Sequence, residues 1–264
     1  MKPNIYMFHR VELGQKQNIA EIYYSRGMVH KTDEIFLYID RLLEKGKQFG
    51  SIEQCAIDTQ YFHLSFDDGY KEHLIIAHKL KERYFIEKNK ATFSINCGNS
   101  YTHEHTGMDV IYAAIMSSNI NKITSFFGIP ESEKNLKVIK QKIIRQSPHQ
   151  LKEIPDIVPG LNRTLSCIFL EKDDIRDISK IFNIACHGMT HRDMTNHITD
   201  SEIEIQSAKR LLEHELNIDI ETFTYPEGKN NNQLREICKA CGFHNGLSIS
   251  HRPGNSFCIG RKII

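Results

Sequence analysis

Short apolar runs alternate with amphipathic helical stretches along most of this chain, and that alternation constrains its fold more than any other feature. Ile5 to Phe8, Phe62 to Phe66, Ala91 to Ile95, Phe182 to Cys186, Thr222 to Tyr225 and Gly246 to Ile249 each read as a short buried strand. Thr32 to Glu44 gathers Ile35, Leu37, Ile39, Leu42 and Leu43 and is followed by a stop at Gly46, the pattern of a helix with its C-terminal signal. The same reasoning predicts helices over Tyr70 to Tyr84, Lys172 to Ile181 and Asn232 to Cys241. A further helix runs through Glu215, opened by the capping box Thr199-Asp200-Ser201-Glu202. Strands alternating with helices predict an α/β fold on a mostly parallel sheet. Residues from about 100 to 165 break the pattern: Pro148, Pro155, Pro159 and Gly160 interrupt them, with helical patches at Val110 to Ser117 and Leu136 to Arg145. At 264 residues and 40% hydrophobic, the chain suits one domain, 1–264, carrying an insertion at about 100–165.

In parallel sheets, chemistry gathers at the C-terminal ends of strands. Asp67 and Asp68 directly follow one strand, His187 follows another, and Pro226 a third. Because side chains alternate along a strand, the two aspartates can point different ways, one to a metal and one to a reacting water. His187 and His191 stand four apart, the spacing at which residues of a helix or turn share a face. Taken singly, Asp-Asp-Gly reads as a carboxylate-rich turn and the histidines as a surface pair. Together at strand ends, one carboxylate and two imidazoles leave coordination positions open, as in a catalytic metal site. The chemistry indicated is metal-assisted hydrolysis.

The net charge is +1 with the two signs intermixed, which gives no electrostatic footprint for nucleic acid. No run approaches the ~18 apolar residues of a membrane span, and Met1 to His9 lacks the apolar run of a secretory signal. The 7 cysteines are odd in number and scattered, which suits a reducing compartment, so a cytoplasmic location is expected. Cys238 and Cys241 form a lone CxxC in helical context and read as ordinary helix residues.

These motifs resemble those of the polysaccharide deacetylases of carbohydrate esterase family 4, the NodB-homology fold. Ser65-Phe66-Asp67-Asp68-Gly69 is similar to the family's first motif. His187-Gly188-Met189-Thr190-His191 is similar to its second. Phe223-Thr224-Tyr225-Pro226-Glu227-Gly228 is similar to its third, in the branch reading F-x-Y-P-x-G. Tyr6 to Val11 and the tail from Gly242 to Arg261 also look like that branch, so the likeness runs nearly end to end apart from the insertion. The resemblance implies a distorted or incomplete (β/α) barrel. It implies a divalent metal, Zn²⁺ first, on Asp68, His187 and His191, with Asp67 as general base. It also implies an oxyanion held by the metal and a backbone N–H after Pro226, that of Glu227, with Tyr225 and Pro226 beside the sugar.

Three departures carry consequences. Many members have an arginine where this chain has Thr224, so Arg261 or Arg252 is expected to supply that charge. The usual late histidine acid is replaced by candidates, His251 first and His9 second, with His103 or His105 of the insertion in reserve. Glu227 stands where tyrosine is common. The expected reaction is removal of an N-acetyl group, or an O-acetyl group, from an acetylated sugar or glycan. The expected substrate is a nucleotide- or lipid-linked amino sugar or oligosaccharide in surface-glycan assembly. Two rivals are an amidohydrolase of the same fold acting on a non-sugar amide, and a catalytically silent, metal-holding glycan-binding protein. The insertion reads equally as a lid or homo-oligomer contact and as an embellishment.

Overall fold

Strands of two to six residues, each too short to be stable alone, assemble here through their neighbours. In the computed structural model they are β1 (Ile5–Phe8), β2 (Arg10–Glu12), β3 (Val29–Lys31), β4 (Gln48–Phe49), β5 (Tyr61–Phe66), β6 (Ala91–Ile95), β7 (Asn183–Cys186), β8 (Thr222–Thr224), β9 (Asn245–Ser248), β10 (Ile259–Gly260) and β11 (Lys262–Ile263). The structure describes residues 2–14, 19, 21–103, 112, 120–133, 135–157 and 168–264. The main sheet runs β10-β9-β8-β7-β6-β5-β1-β11, with β4 beside β5, and every pairing is parallel. β10 and β11 stand at opposite ends of that order, yet only Arg261 separates them in the chain. Consecutive Cα atoms are about 3.8 Å apart, so the two edges meet at Arg261. The sheet closes into an irregular barrel rather than a regular eight-fold ring.

Phe8, Phe66 and Phe93 occupy one register across β1, β5 and β6. Their rings stack at 5.1 Å and 4.8 Å between centroids, and Phe182 continues the row 5.8 Å from Phe93. Cross-strand aromatic pairs of this kind fix register as well as burying area. The helix Glu72–Tyr84 covers this core with Ile76, Ala77 and Leu80, and Lys172–Ile181 with Ile175 and Ile178.

Two helix expectations need correction. The helix after the histidine pair spans Ile198–Leu216 and is entered through His197 at φ 51°, with no side-chain cap. Thr199 therefore lies inside the first turn and the expected capping box does not form. Ser201 is instead drawn inward, accepting from Arg192 Nη2 at 2.7 Å and donating to the Met194 carbonyl at 2.9 Å. In the insertion, Leu136–Ile143 is helical, ending before Arg145. The patch Val110 to Ser117 lies outside the described residues except for Tyr112.

The insertion is joined to the barrel by a second apolar cluster. Ile123, Ile139, Ile143, Leu151 and Ile154 pack with Tyr23, Tyr70 and Phe169. Arg10 lies over the rings of Tyr70 and Tyr23, at 4.5 and 5.0 Å from their centroids, and pairs with Glu72 at 2.5 Å. A buried cation is tolerable there because both the carboxylate and the ring faces compensate it.

Phe93 is fully buried in the aromatic row. Phe93→Ala should lower stability by about 3–5 kcal/mol, measured by urea unfolding. A loss below about 1 kcal/mol, the range of ordinary substitutions, would show that the row does not hold β5 to β6.

Candidate metal and catalytic site

The backbone turns sharply where β5 ends. Asp67 still donates its N–H to the Phe8 carbonyl at 2.9 Å, extending the ladder by one residue. Asp68 and Gly69 then take left-handed φ of 79° and 73°. That conformation is costly for a residue with a Cβ, on the order of 1–3 kcal/mol, and such strain concentrates at functional sites. It leaves the two adjacent carboxylates with different partners, Asp67 against Arg261 and Asp68 against the histidines.

His187 is placed in the same way at the end of β7, donating its N–H to the Ile95 carbonyl at 2.9 Å. The residues that follow form a loop, not a helix. Gly188 has φ 80°, a left-handed conformation that strains any residue with a Cβ, and a Cβ there would also push aside the end of the Met194 side chain. His191 has φ 50°.

The loop is held from below by Glu204. Its Oε1 accepts from the N–H groups of Met189 at 3.1 Å and Thr190 at 2.9 Å, and from the Thr190 hydroxyl at 2.8 Å. Its Oε2 accepts from Arg192 Nε at 2.9 Å. Sequence reasoning missed Glu204 and Arg192. The available signal was periodicity: Glu204 shares the buried face of its helix with Ser201, Ile205, Ala208 and Leu212, where a carboxylate demands partners.

His187 Nε2 lies 3.3 Å and His191 Nε2 3.0 Å from Asp68 Oδ1. His187 Nδ1 lies 2.7 Å from the Thr224 carbonyl, which can only accept, so Nδ1 carries a proton and Nε2 is the nitrogen turned towards Asp68. Asp68 Oδ1 is buried, and its two imidazole neighbours approach it as ion-pair partners rather than in good hydrogen-bond geometry. Three ligand atoms lie within 4.8 Å of one another. A buried carboxylate oxygen facing two imidazole nitrogens is an arrangement a cation completes, so the donor set fits a divalent metal of the kind that accepts imidazole and carboxylate.

Asp67 has a separate environment. Arg261 Nη1 donates to its Oδ1 at 2.6 Å and to Ser65 Oγ at 2.9 Å. Burial alone would raise the Asp67 pKa, but the Arg261 charge, with His187, holds it below the usual carboxylate value. Thr224, at the position where an arginine was anticipated, instead pairs its hydroxyl with Ser94 Oγ at 2.8 Å.

Asp67, Asp68, His187, His191, Arg261, His9 and Glu227 line one cavity of about 190 Å³. His9 sits at the break between β1 and β2, where burial pushes its pKa down. Glu227 has φ 55° in the turn Pro226–Gly228 and pairs with Lys140 at 2.6 Å. Burial would raise its pKa, but Lys140 outweighs that and lowers it. Lys140 belongs to the insertion and, like Arg26 and His30, was not anticipated in the cavity.

The remaining expected residues lie elsewhere. His251 does not line the cavity. Its Nδ1 accepts from the Gly260 N–H at 3.3 Å, which turns the ring to the backbone beside Lys2. Arg252 is exposed and reaches Asn232. Tyr225 is fully buried, with its ring against Phe223 and its hydroxyl donating to the Phe257 carbonyl at 3.0 Å, so it offers the sugar no side chain. Pro226 is buried in the turn and acts there as backbone. His103 caps the segment Gly98–Thr102 outside the cavity lining, and His105 lies outside the described residues.

The chain belongs to the polysaccharide deacetylase family, whose model matches residues 57–246. Members of that family are hydrolases of acetylated sugars. The fold is similar to the Streptococcus pyogenes deacetylase PplD, with a TM-score of 0.64 at 13% identity over 100% of this chain and 92% of that one. It is also similar to IcaB from Ammonifex degensii, with a TM-score of 0.62 at 12% identity over 98% and 90%. A polysaccharide deacetylase from Bacillus cereus gives 0.59 at 15% identity over 100% and 64%. At such identities the likeness is one of fold. No curated protein matches the chain.

Glu204→Gln should loosen the loop between His187 and Arg192. Divalent-cation affinity, read by titration calorimetry with Zn²⁺, should fall roughly 10–100-fold, as for lost outer partners of metal ligands. Unchanged affinity would show that the loop holds its histidines without Glu204.

Proposed function

We propose that this protein is a divalent-metal-dependent deacetylase that removes the N-acetyl group, or an O-acetyl group, of a sugar. Asp68, His187 and His191 hold the cation, with Zn²⁺ the first expectation. The observation that carries this reading is the division of labour between two adjacent carboxylates in one cavity, Asp68 against two imidazoles and Asp67 against a guanidinium. A metal-holding binding protein would need only the first of these.

A cation on this donor set supplies Lewis-acid polarisation of the acyl carbonyl and acidifies the attacking water. Asp67 accepts that water's proton. Arg261 and Ser65 both bond to its Oδ1, which leaves Oδ2 for the transfer. The backbone N–H of Glu227, in the left-handed turn after Pro226, takes the role of donor to the developing oxyanion. His9 takes the role first assigned to His251, because it lines the cavity and His251 does not. Burial disfavours its charged form, but the Asp68 and Asp67 carboxylates beside it favour that form. Protonated, His9 gives its proton to the departing nitrogen, which would otherwise leave as an amide anion.

We place the reaction in the cytoplasm, on a nucleotide- or lipid-linked amino sugar or oligosaccharide precursor in surface-glycan assembly. The six cysteines among the described residues are all free, which suits a reducing compartment. No helix among the described residues is long and apolar enough to cross a membrane. Lys140 in the cavity lining favours the insertion as a lid.

Acetate release from a panel of acetylated amino sugars and nucleotide sugars tests this reading directly. Asp67→Asn should keep the metal and lose at least ~100-fold in turnover, the low end for a general base, whereas His187→Ala should lose the metal. Near-normal turnover by Asp67→Asn would remove the base assignment. Arg261→Gln takes away the cation that keeps Asp67 ionised, so the acidic limb of the rate profile should move to higher pH by roughly 1–3 units. An unmoved limb would mean that Asp67 does not govern it.

A further inference from the structure

A second cavity, of about 490 Å³, adjoins the catalytic one and shares Arg26, Lys140 and Glu227 with it. Its lining sets four cations, Arg26, Lys137, Lys140 and Lys229, against the single carboxylate of Glu227. This excess is local, since the whole chain carries only +1. Two of the cations are already neutralised, Lys140 by Glu227 at 2.6 Å and Lys229 by Asp193 at 2.9 Å. Arg26 and Lys137 have no carboxylate partner among the described residues. Arg26 touches the Tyr112 ring at 5.9 Å, a contact with its guanidinium carbon that leaves its N–H donors available. Lys137 stands in the first turn of the helix Leu136–Ile143, which has no acidic residue there. A cation at that end opposes the helix dipole, which a bound anion would offset.

The catalytic cavity is smaller than the ~300 Å³ at which ligand pockets usually begin. It has room for the acyl end of a substrate, and the adjoining cavity, through the shared Arg26, Lys140 and Glu227, offers the rest a way to continue. A neutral glycan would leave Arg26 and Lys137 without a counter-ion. A phosphate or diphosphate on the sugar supplies one, and the planar fork of an arginine matches its oxygens. We propose that Arg26 and Lys137, with Lys140 and Lys229 beside them, form an anion subsite that seats a phosphate or diphosphate group attached to the amino sugar. The proposal rests on the deacetylase reading for what lies next door. It adds the residues that would recognise the phosphate of such a substrate and so set it apart from a neutral polymer.

The test compares acetate release from a neutral N-acetylglucosamine oligomer, N-acetylglucosamine 1-phosphate, the uridine diphosphate sugar and a short-chain prenyl diphosphate sugar. The last two arms distinguish a nucleotide from a lipid as the source of the diphosphate. The phosphorylated substrates should have at least about tenfold higher kcat/KM than the oligomer, the scale of one charge-assisted bond, and the advantage should shrink as salt rises. Lys137→Glu and Arg26→Gln should each remove that advantage. Lys137→Glu should leave hydrolysis of the neutral oligomer unchanged. A preference for the neutral oligomer, or a Lys137→Glu enzyme that keeps the advantage, would overturn the subsite.

Binding of inorganic pyrophosphate, by calorimetry, reads the subsite without catalysis. It should persist in His187→Ala, where no metal can hold the anion, and be lost when Lys137→Glu is added. Absent pyrophosphate binding alongside acetate release from neutral sugars would sink the anion subsite and leave the deacetylase reading standing. Retained binding without acetate release from any sugar would do the reverse.

Discussion

The ion pair between Arg261 and Asp67 ties the closure of the sheet to its chemistry. Both side chains are almost wholly buried, at 1% and 2% exposure. Burying two charges costs several kcal/mol each and is tolerated only when they are paired and hydrogen-bonded. Arg261 can reach Asp67 only because it lies between β10 and β11, where the two ends of the strand order meet. Were the sheet open at that edge, Asp67 would face burial without a counter-charge, and its pKa would rise rather than fall. Barrel closure therefore supplies the main counter-charge of the candidate base.

Three further ion pairs extend outward from the same centre. Glu204 and Arg192 lock the loop that carries His191. Asp193, next in that loop, pairs with Lys229 just beyond the Pro226 turn. Glu227, within that turn, pairs with Lys140 of the insertion. The Asp193 N–H also meets the Ile144 carbonyl at 2.6 Å. The second motif, the third motif and the insertion are thus linked in series by charges that are partly or fully desolvated, where Coulomb attraction is stronger than at the surface. This linkage makes the insertion part of the cavity wall, and it puts unspent positive charge at the cavity mouth.

Most of the architecture is legible in the amino-acid sequence. The alternation of apolar runs with helical stretches located β1, β5, β6 and β7, and the helices Thr32–Glu44 and Lys172–Ile181, to within one residue. The strands β2, β3, β4, β10 and β11 were not legible, since two or three residues carry no measurable period. The motif aspartates and histidines were visible because strand ends are where parallel sheets expose side chains. Tyr225 misled, because a strand residue beside a motif proline says nothing about which face of the sheet it occupies. His251 misled because loop position along the chain does not give direction in space.

What the sequence determined by itself was local: the strand ends, the adjacent carboxylates, the histidine spacing, and so the kind of chemistry. Each of these follows from covalent neighbours and short periods. What only the tertiary structure decided was which distant groups meet. Arg261, not Arg252, stands 194 residues from Asp67 in the chain and 2.6 Å from it in space. Glu204 holds the histidine loop from a helix below it, and Lys140 enters the cavity from the insertion. No local pattern encodes those pairings. They arise when the sheet closes and the insertion docks, because a buried charge must find its partner wherever the fold delivers one.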